Sequence, residues 1–199
     1  MPPRNTKECL MEKQANPAVL GLLGYGMSTV LLSLGNSGIY PVDGMVFAMA
    51  IFFGGLAQTL VAMMLFRLGD TFGVTAFGGY SFLWLSFAFL NIGAINEWWT
   101  ITAAGVGWYL ILWMIFTIGL MFASTVAPRV LTIVLALTVV LLGSLGLGAI
   151  TGNAALSFFG GVEGIITGAL AMYLAFAFLL NEMFGKEVLP VGSPIRQNA

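Results

Sequence analysis

Glu163 is the residue whose chemistry stands out, because it is the only acid or base well inside an apolar stretch of the sequence. A charge at that depth in lipid is costly, so the side chain must face water, hold a proton or have hydrogen-bond donors around it. One interpretation is a carboxyl group that handles protons along a solute path. The other is a neutral glutamic acid hydrogen-bonded between helices, and the sequence leaves both open.

Uncharged polar side chains also occur within the apolar stretches. Most membrane serines and threonines bond to carbonyls of their own helix or join neighbouring helices, so a packing role is their ordinary interpretation. A side-chain amide is harder to accommodate, because it has four hydrogen-bonding capacities to satisfy. The candidates for lining a solute path are Gln58, Asn153, Thr29, Ser81 and Thr138.

Several function classes lack their usual residues in this chain. There is no histidine, and Cys9 is the only cysteine, so common metal sites and an internal disulfide lack ligands and partners. The apolar stretches contain no lysine or arginine and no nucleophile–base pair. The net charge of -1 gives no indication of nucleic-acid binding. We therefore expect no metal, no cofactor, no nucleic-acid partner and no enzymatic activity.

The composition requires lipid as the surrounding solvent. The chain is 59% hydrophobic and 8% charged, with a mean hydropathy of +1.00 over 199 residues. A soluble domain of this length could not bury that much apolar surface. Six apolar runs are each about the 20 residues that a helix needs to cross a membrane. They cover residues 17–36, 44–66, 72–94, 103–124, 130–150 and 155–181.

These runs predict an all-α integral membrane protein with six transmembrane helices joined by short connections. We expect a polar cytosolic segment over residues 1–15, one six-helix domain over 16–183 and a cytosolic tail over 184–199. All seven cations fall at the termini or in the even-numbered connections: Arg4, Lys7, Lys13, Arg67, Arg129, Lys186 and Arg196. The positive-inside rule then places both termini in the cytosol and the protein in the plasma membrane. An aromatic belt is indicated on the outer side by Trp98, Trp99, Trp108 and Tyr109.

Small residues indicate close helix packing at two places. Asn16 can cap the first helix and Pro17 suits its first turn, where a backbone N–H lacks a partner anyway. The glycines that follow surround Tyr25 and are Gly21, Gly24 and Gly26. Because glycine lets backbones approach, we expect neighbouring helices to lie close beside Tyr25. A ridge on the sixth run, formed by Gly160, Gly164 and Gly168, predicts a second tight seam beside Glu163.

Four motifs, in order over nearly the whole chain, are typical of one known family. They are Asn-Pro-Ala-Val-Leu-Gly-Leu at 16–22, Thr-Phe-Gly-Val-Thr-Ala-Phe-Gly-Gly-Tyr-Ser at 71–81, Gly-Asn-Ala-Ala at 152–155 and Asn-Glu-Met-Phe-Gly-Lys-Glu-Val-Leu-Pro at 181–190. With these motifs the chain resembles the acetate uptake transporter family, which includes the bacterial succinate–acetate permeases. Val19 departs from the pattern, since the family usually has a second proline there, and Glu163 matches no motif position.

The resemblance implies a homohexameric ring in which each protomer has its own path. It implies transport of acetate and, in some members, succinate, either as an anion channel or as a proton-coupled carrier. The family's constriction is an aromatic on the first helix, a tyrosine on the third and a leucine on the fifth, which match Tyr25, Tyr80 and Leu137. Family members commonly have phenylalanine at the first position, so Tyr25 adds a hydroxyl. Gln58 and Asn153 match polar pore-lining positions.

The expected function is therefore transport of acetate or a similar small carboxylate across a lipid membrane, with Glu163 as the candidate for holding a coupling proton. Two alternatives remain open. A channel for water or neutral solutes is suggested by the Asn-Pro-Ala motif at 16–18, although aquaporin-type pores use two such motifs. A non-transporting acetate sensor is the other, although a sensor is expected to carry an extra soluble domain or a long tail.

Overall fold

The computed structural model describes residues 15–196, and these residues form helices and connections without any strand. Six helices are long and apolar enough to cross a membrane. They are α1 Ala18–Asn36, α2 Gly44–Leu68, α3 Thr71–Ile95, α4 Ala103–Val126, α5 Arg129–Thr151 and α6 Ala154–Phe184. The predicted all-α fold with six spans is thereby confirmed. The predicted polar segment 1–15 lies outside the described residues, apart from residue 15.

Most of the helices begin at a polar side chain that binds free backbone N–H groups. Asp43 Oδ1 accepts from the N–H of Met45 at 2.9 Å, and Asp70 Oδ1 accepts from the N–H of Gly73 at 2.8 Å. Thr102 and Asn153 cap α4 and α6 in the same way. These caps satisfy donors that would otherwise be unpaired at the helix ends. The short connections therefore fix where each helix starts.

The middle of α2 departs from regular α-helical geometry. Residues Ala50–Ala57 have π-helical hydrogen bonding, which forms a wider turn than an α-helix. Two carbonyl groups of this segment bind side chains. Gln58 Nε2 donates to the Gly54 carbonyl at 2.7 Å, and the Ser81 hydroxyl donates to the Gly55 carbonyl at 3.0 Å. The sequence predicted one continuous helix here, and the π segment is a finding of the structure.

The glycine ridge of α6 packs within the protomer. Its contact with α1 is the most extensive between any two helices in residues 15–196. A Cβ built on Gly168 would lie 2.6 Å from the carbonyl oxygen of Gly26, and a Cβ on Gly26 would lie 2.7 Å from the carbonyl oxygen of Gly168. Gly160 faces Leu145 of α5 in a similar way. The predicted close approach beside Tyr25 and along the ridge is confirmed.

The segment that follows α6 returns along the bundle instead of leaving it. Asn181 holds its first part, because its Oδ1 accepts from the N–H groups of Val188 and Leu189 at 2.6 and 2.9 Å. Its Nδ2 donates to the Leu189 carbonyl at 2.8 Å. Further along, the carbonyl groups of residues 191 and 192 accept from the first N–H groups of α5. Residues 185–196 therefore form a strap, which serves as the N-terminal cap that α5 lacks.

Replacing Asn181 by alanine is expected to loosen this strap. The variant loses three hydrogen bonds and should be destabilised by about 2 kcal/mol. In limited proteolysis with trypsin, we expect faster cleavage at Lys186 than in the wild-type protein. Replacing Asn91 by alanine is the matched control, because its amide bonds only to its own helix. Equal cleavage rates at Lys186 in wild type and the Asn181 variant would contradict the clamping role.

Candidate functional site: a tyrosine pair between two cavities

Two tyrosines meet at the centre of the bundle. Tyr25 of α1 and Tyr80 of α3 are both buried, and their ring centroids are 5.2 Å apart at an interplanar angle of 46°. Phe116 of α4 packs on Tyr80 in an edge-to-face arrangement, with ring centroids 5.9 Å apart. Glycines explain why the first ring reaches this position. Gly24, beside Tyr25, lies against the Phe53 carbonyl of the π segment, where a side chain would not fit.

Threonines bind both tyrosine hydroxyls. The Tyr25 hydroxyl lies 2.6 Å from Thr138 Oγ1 of α5, and the Tyr80 hydroxyl lies 2.9 Å from Thr117 Oγ1 of α4. Thr138 and Thr117 are themselves almost fully buried. Each ring is therefore held at both ends, by its own helix and by a hydrogen bond to another helix.

Cavities lie on the two sides of the tyrosine pair. The large cavity has a volume of about 620 Å³, and its lining includes Asn36 and the residues of the α3–α4 connection from Trp99 to Thr102. The small cavity has a volume of about 340 Å³, and its lining includes Ala18 and Asp70 at the opposite end of the bundle. Tyr25 and Tyr80 line both cavities, and the two linings share no other residue. The tyrosine pair therefore separates two cavities that approach it from opposite ends of the bundle.

Neither cavity offers a fixed positive charge. Over residues 15–196, no lysine or arginine lines either space, and Asp70 is the single carboxylate in the two linings. Gln58 contributes an amide to the small cavity, and its Oε1 has no hydrogen-bond partner. The arrangement suits a small solute that meets hydroxyl groups, amides and aromatic rings, among them the buried Trp84 Nε1–H, which has no hydrogen-bond partner.

The comparisons with known proteins agree with this architecture. The sequence model of the GPR1/FUN34/yaaH family matches residues 2–191. The chain belongs to this family. The succinate-acetate/proton symporter SatP of Escherichia coli K12 is 44% identical over 181 residues, covering 90% of this chain and 96% of the relative. Acetate permease A of Emericella nidulans is 37% identical over 146 residues, covering 66% of this chain and 49% of the relative.

A solved structure has the same fold. The structure of the bacterial acetate channel SatP matches with a TM-score of 0.89 at 43% identity, covering 90% of this chain and all of that one. The resemblance seen in the sequence motifs is thereby confirmed. With six apolar helices and this relationship, the chain is a multi-pass protein of the plasma membrane.

The constriction predicted from the family maps onto the structure at two of its three residues. Tyr25 and Tyr80 meet, whereas Leu137 is half-buried and lines neither cavity. The residues of α5 that pack with the tyrosines are Val134 and Leu135, and Thr138 bonds to Tyr25. Leu137 is two residues beyond Leu135, about 200° around the helix, so the two side chains point to different faces. The role assigned to Leu137 stays a prediction.

The predicted path-lining residues fall into two groups. Gln58, Thr29 and Thr138 line a cavity, and Thr29 donates to the carbonyl of Tyr25 at 2.7 Å. Ser81 and Asn153 line neither. Ser81 bonds to the π segment, and Asn153 caps α6 by accepting from the N–H of Ala155 at 3.0 Å. For these last two residues the structure shows a role in building the helices.

The motif residues of α1 also have structural roles. Asn16 Oδ1 accepts from the N–H of Ala18 at 3.0 Å, and the Pro17 carbonyl accepts from the N–H of Gly21 at 3.3 Å. Gly21 packs against the ring of Phe77 of α3 so closely that a Cβ would overlap it. The motif therefore positions the start of α1 and its contact with α3.

Glu163 lies beside the glycine ridge and lines neither cavity. It is 7% exposed, its Oε1 accepts from the Thr167 hydroxyl at 2.5 Å, and its Oε2 has no hydrogen-bond partner. The sequence left two interpretations open for this residue, and its one hydrogen bond is to a threonine of its own helix, α6. Its role in proton coupling stays a prediction.

Two aromatic residues that the sequence placed in an interfacial belt contribute to the large cavity instead. Trp99 and Tyr109 line this cavity, and Trp99 Nε1 donates to the Leu90 carbonyl at 3.1 Å. Trp98 and Trp108 are more than half exposed, as a belt requires. The sequence signal for an aromatic belt is composition near a helix end, which does not separate rings that face lipid from rings that face a cavity.

Proposed function

We propose that this chain transports acetate, or a carboxylate of similar size, through the two cavities and between Tyr25 and Tyr80. The observation that supports this most directly is that two cavities from opposite ends of the bundle meet at this tyrosine pair. The SatP relatives, described as a succinate-acetate/proton symporter and as an acetate channel, support the choice of solute. Ring centroids 5.2 Å apart are in van der Waals contact, so a solute passes only when the rings move apart, which favours a small solute.

The proposed path has a polar entrance and an apolar centre. At the large cavity, Asn36, Ser33 and Asn91 offer hydrogen bonds to an incoming carboxyl group. At the small cavity, Gln58 Oε1 offers an unused acceptor. Between them, the solute passes a cluster of buried aromatic and aliphatic side chains, where desolvation sets the barrier.

The charge distribution supports an orientation in the membrane. Among the described residues, Arg67, Arg129, Lys186 and Arg196 lie at the end of the small cavity. By the positive-inside rule, the small cavity then faces the cytosol with both termini, and the large cavity faces outward. We propose a homohexamer, as the resemblance implies. Its interfaces and the lipid would cover the apolar side chains that stay exposed in one protomer.

The proposed function is tested with purified protein in liposomes and labelled acetate. We expect a faster initial uptake than in protein-free vesicles at the same pH, with a further increase when an inward proton gradient is imposed. Protein-free vesicles are essential, because acetic acid crosses lipid unaided. An initial rate equal to that of protein-free vesicles would contradict the transport function and revive the sensor interpretation.

Replacing Glu163 by glutamine tests the predicted coupling role of this carboxyl group. Glutamine keeps the shape and an oxygen that accepts from Thr167 but cannot release a proton. Since Glu163 lines neither cavity, we expect acetate uptake and its stimulation by a proton gradient to stay within about twofold of wild type. Loss of stimulation with uptake retained would show that Glu163 carries the coupling proton.

A further inference from the structure

The second hydrogen bond of Thr138 favours one direction for its bond with Tyr25. A threonine hydroxyl has one proton to donate. Thr138 donates that proton to the carbonyl of Val134, one turn earlier in α5, at 2.8 Å. Either hydroxyl could donate across the 2.6 Å between the two oxygens, but both hydrogen bonds form at once only when Tyr25 is the donor. The Tyr25 oxygen is left with lone pairs only.

A relay of the same kind, from a tyrosine hydroxyl to a threonine and from the threonine to a backbone carbonyl, is present on the other side of the constriction. Thr117 donates to the carbonyl of Trp113, one turn earlier in α4, at 2.8 Å. Both bonds form at once when Tyr80 donates to Thr117 across 2.9 Å. Each tyrosine proton therefore goes to a threonine, and each threonine proton goes to a backbone carbonyl. At the narrowest point, the two tyrosine hydroxyls offer acceptors and no donor.

Tyrosine hydroxyls that only accept hydrogen bonds distinguish the two forms of a carboxylic acid. A carboxylate that leaves water needs hydrogen-bond donors or a positive charge to replace its hydration. A protonated acid carries its own O–H group, which can donate to an acceptor such as the Tyr25 oxygen. The neutral form therefore loses less on entering the cluster around the tyrosines than the anion does.

The charged and titratable groups around the path strengthen this preference. Facing the cavities are Tyr25 from α1, Asp70 at the start of α3, Tyr80 from α3 and Tyr109 from α4, while α2 and α5 contribute none among the described residues. On α6, Glu163 lies in the adjacent seam. The cations at the end of the small cavity line neither cavity, so no positive charge lies beside the tyrosines to stabilise an anion there.

We propose that Thr138 and Thr117 are specificity-determining residues, which orient the tyrosine hydroxyls so that the constriction passes the protonated acid and excludes the carboxylate. This inference rests on the proposed transport function. The proton then travels on the solute itself, and no residue inside the bundle has to carry it. Both threonines act through the tyrosines, as positioning residues.

The test compares acetate flux with acetate current for the wild-type protein. Uptake of labelled acetate into proteoliposomes reports both forms, whereas current across a planar bilayer reports only the anion. We expect uptake without acetate-carried current. We also expect uptake above the protein-free rate to fall about tenfold for each rise of one pH unit, in proportion to the remaining acid. A current that reverses at the acetate equilibrium potential in the wild type would overturn the proposal.

Replacing Thr138 by valine frees the Tyr25 proton while keeping the side-chain shape. We expect acetate current at pH 7.5 to appear in this variant, at least about tenfold above the wild-type current. Thr138→Ser keeps the accepting oxygen and should restore the low ratio of current to flux. Thr151→Val, the same change on the same helix at a residue that lines neither cavity, is the matched control.

A second variant keeps the test decisive if the first one does not fold. Thr117→Val frees the Tyr80 proton from α4, and the same rise in current is expected. If both valine variants are folded and carry no more current than wild type, the relay does not set the selectivity. Wild-type uptake equal to that of protein-free vesicles would instead overturn the transport function, and with it this inference.

Discussion

Replacing Gly168 by alanine is expected to destabilise the protein by about 3 kcal/mol or more, because the added methyl group has no space at the crossing of α1 and α6. Its Cβ would lie 2.6 Å from the carbonyl oxygen of Gly26 and 2.7 Å from Val30 Cγ2. The nearest of these atoms belongs to the backbone, so no change of side-chain rotamer relieves the overlap. The two helices would have to move apart along their most extensive contact.

The effect is measured as the midpoint of thermal unfolding in detergent, followed by tryptophan fluorescence. A decrease of about 10 °C is expected for a chain of this size. Gly119→Ala is the matched control, since a Cβ on Gly119 of α4 meets no atom within 4 Å. Alanine is the better helix former, so this control should be neutral or slightly stabilising. Equal melting temperatures for the two variants would show that α1 and α6 can move apart at the ridge without a loss of stability.

The six spans could be predicted because hydrophobic length is a local property of the sequence. The predicted run 155–181 and the observed helix Ala154–Phe184 differ by a few residues, since Asn153 and Gly185 mark the ends. The π segment of α2 could not be predicted. The carbonyl groups of Gly54 and Gly55 in this segment accept hydrogen bonds from side chains, one of which comes from α3. No pattern within α2 carries that information.

A residue of the candidate site could be predicted when its neighbours in the sequence indicate its packing. Tyr25 lies between two glycines, and the structure shows one facing α2 and the other facing α6. Leu137 had no such indication and was assigned from the family alone. Which leucine of α5 faces the tyrosines depends on the rotation of that helix about its axis, and a run of aliphatic residues leaves this rotation undetermined.

The direction of the tyrosine hydrogen bonds could not be predicted either. Thr117 and Thr138 are ordinary membrane threonines in the sequence, and most such residues bond to their own helix. Both do so here, and each also accepts from a tyrosine of another helix. The direction of the hydrogen bonds at the constriction therefore depends on pairs of residues that are 37 and 113 positions apart in the chain.

Replacing Tyr25 by alanine is expected to join the two cavities. The ring is one half of the boundary between spaces of about 620 and 340 Å³, and its removal leaves Tyr80 facing a gap. Pore diameter then no longer limits passage to a solute of acetate size. We expect entry of erythritol, a larger neutral solute, to rise by at least about tenfold over wild type in an osmotic swelling assay with proteoliposomes.

Tyr25→Phe separates the role of the ring from that of its hydroxyl. Phenylalanine keeps the boundary, so erythritol should stay excluded as in wild type. Tyr80→Ala removes the other ring of the boundary and should admit erythritol as Tyr25→Ala does. Testing both variants covers the case in which one ring moves to fill the space left by the other. If both alanine variants are folded and still exclude erythritol, the barrier lies elsewhere along the path. A leak through both alanine variants, with none through the phenylalanine variant, would show that packing of the two rings limits the size of the solute.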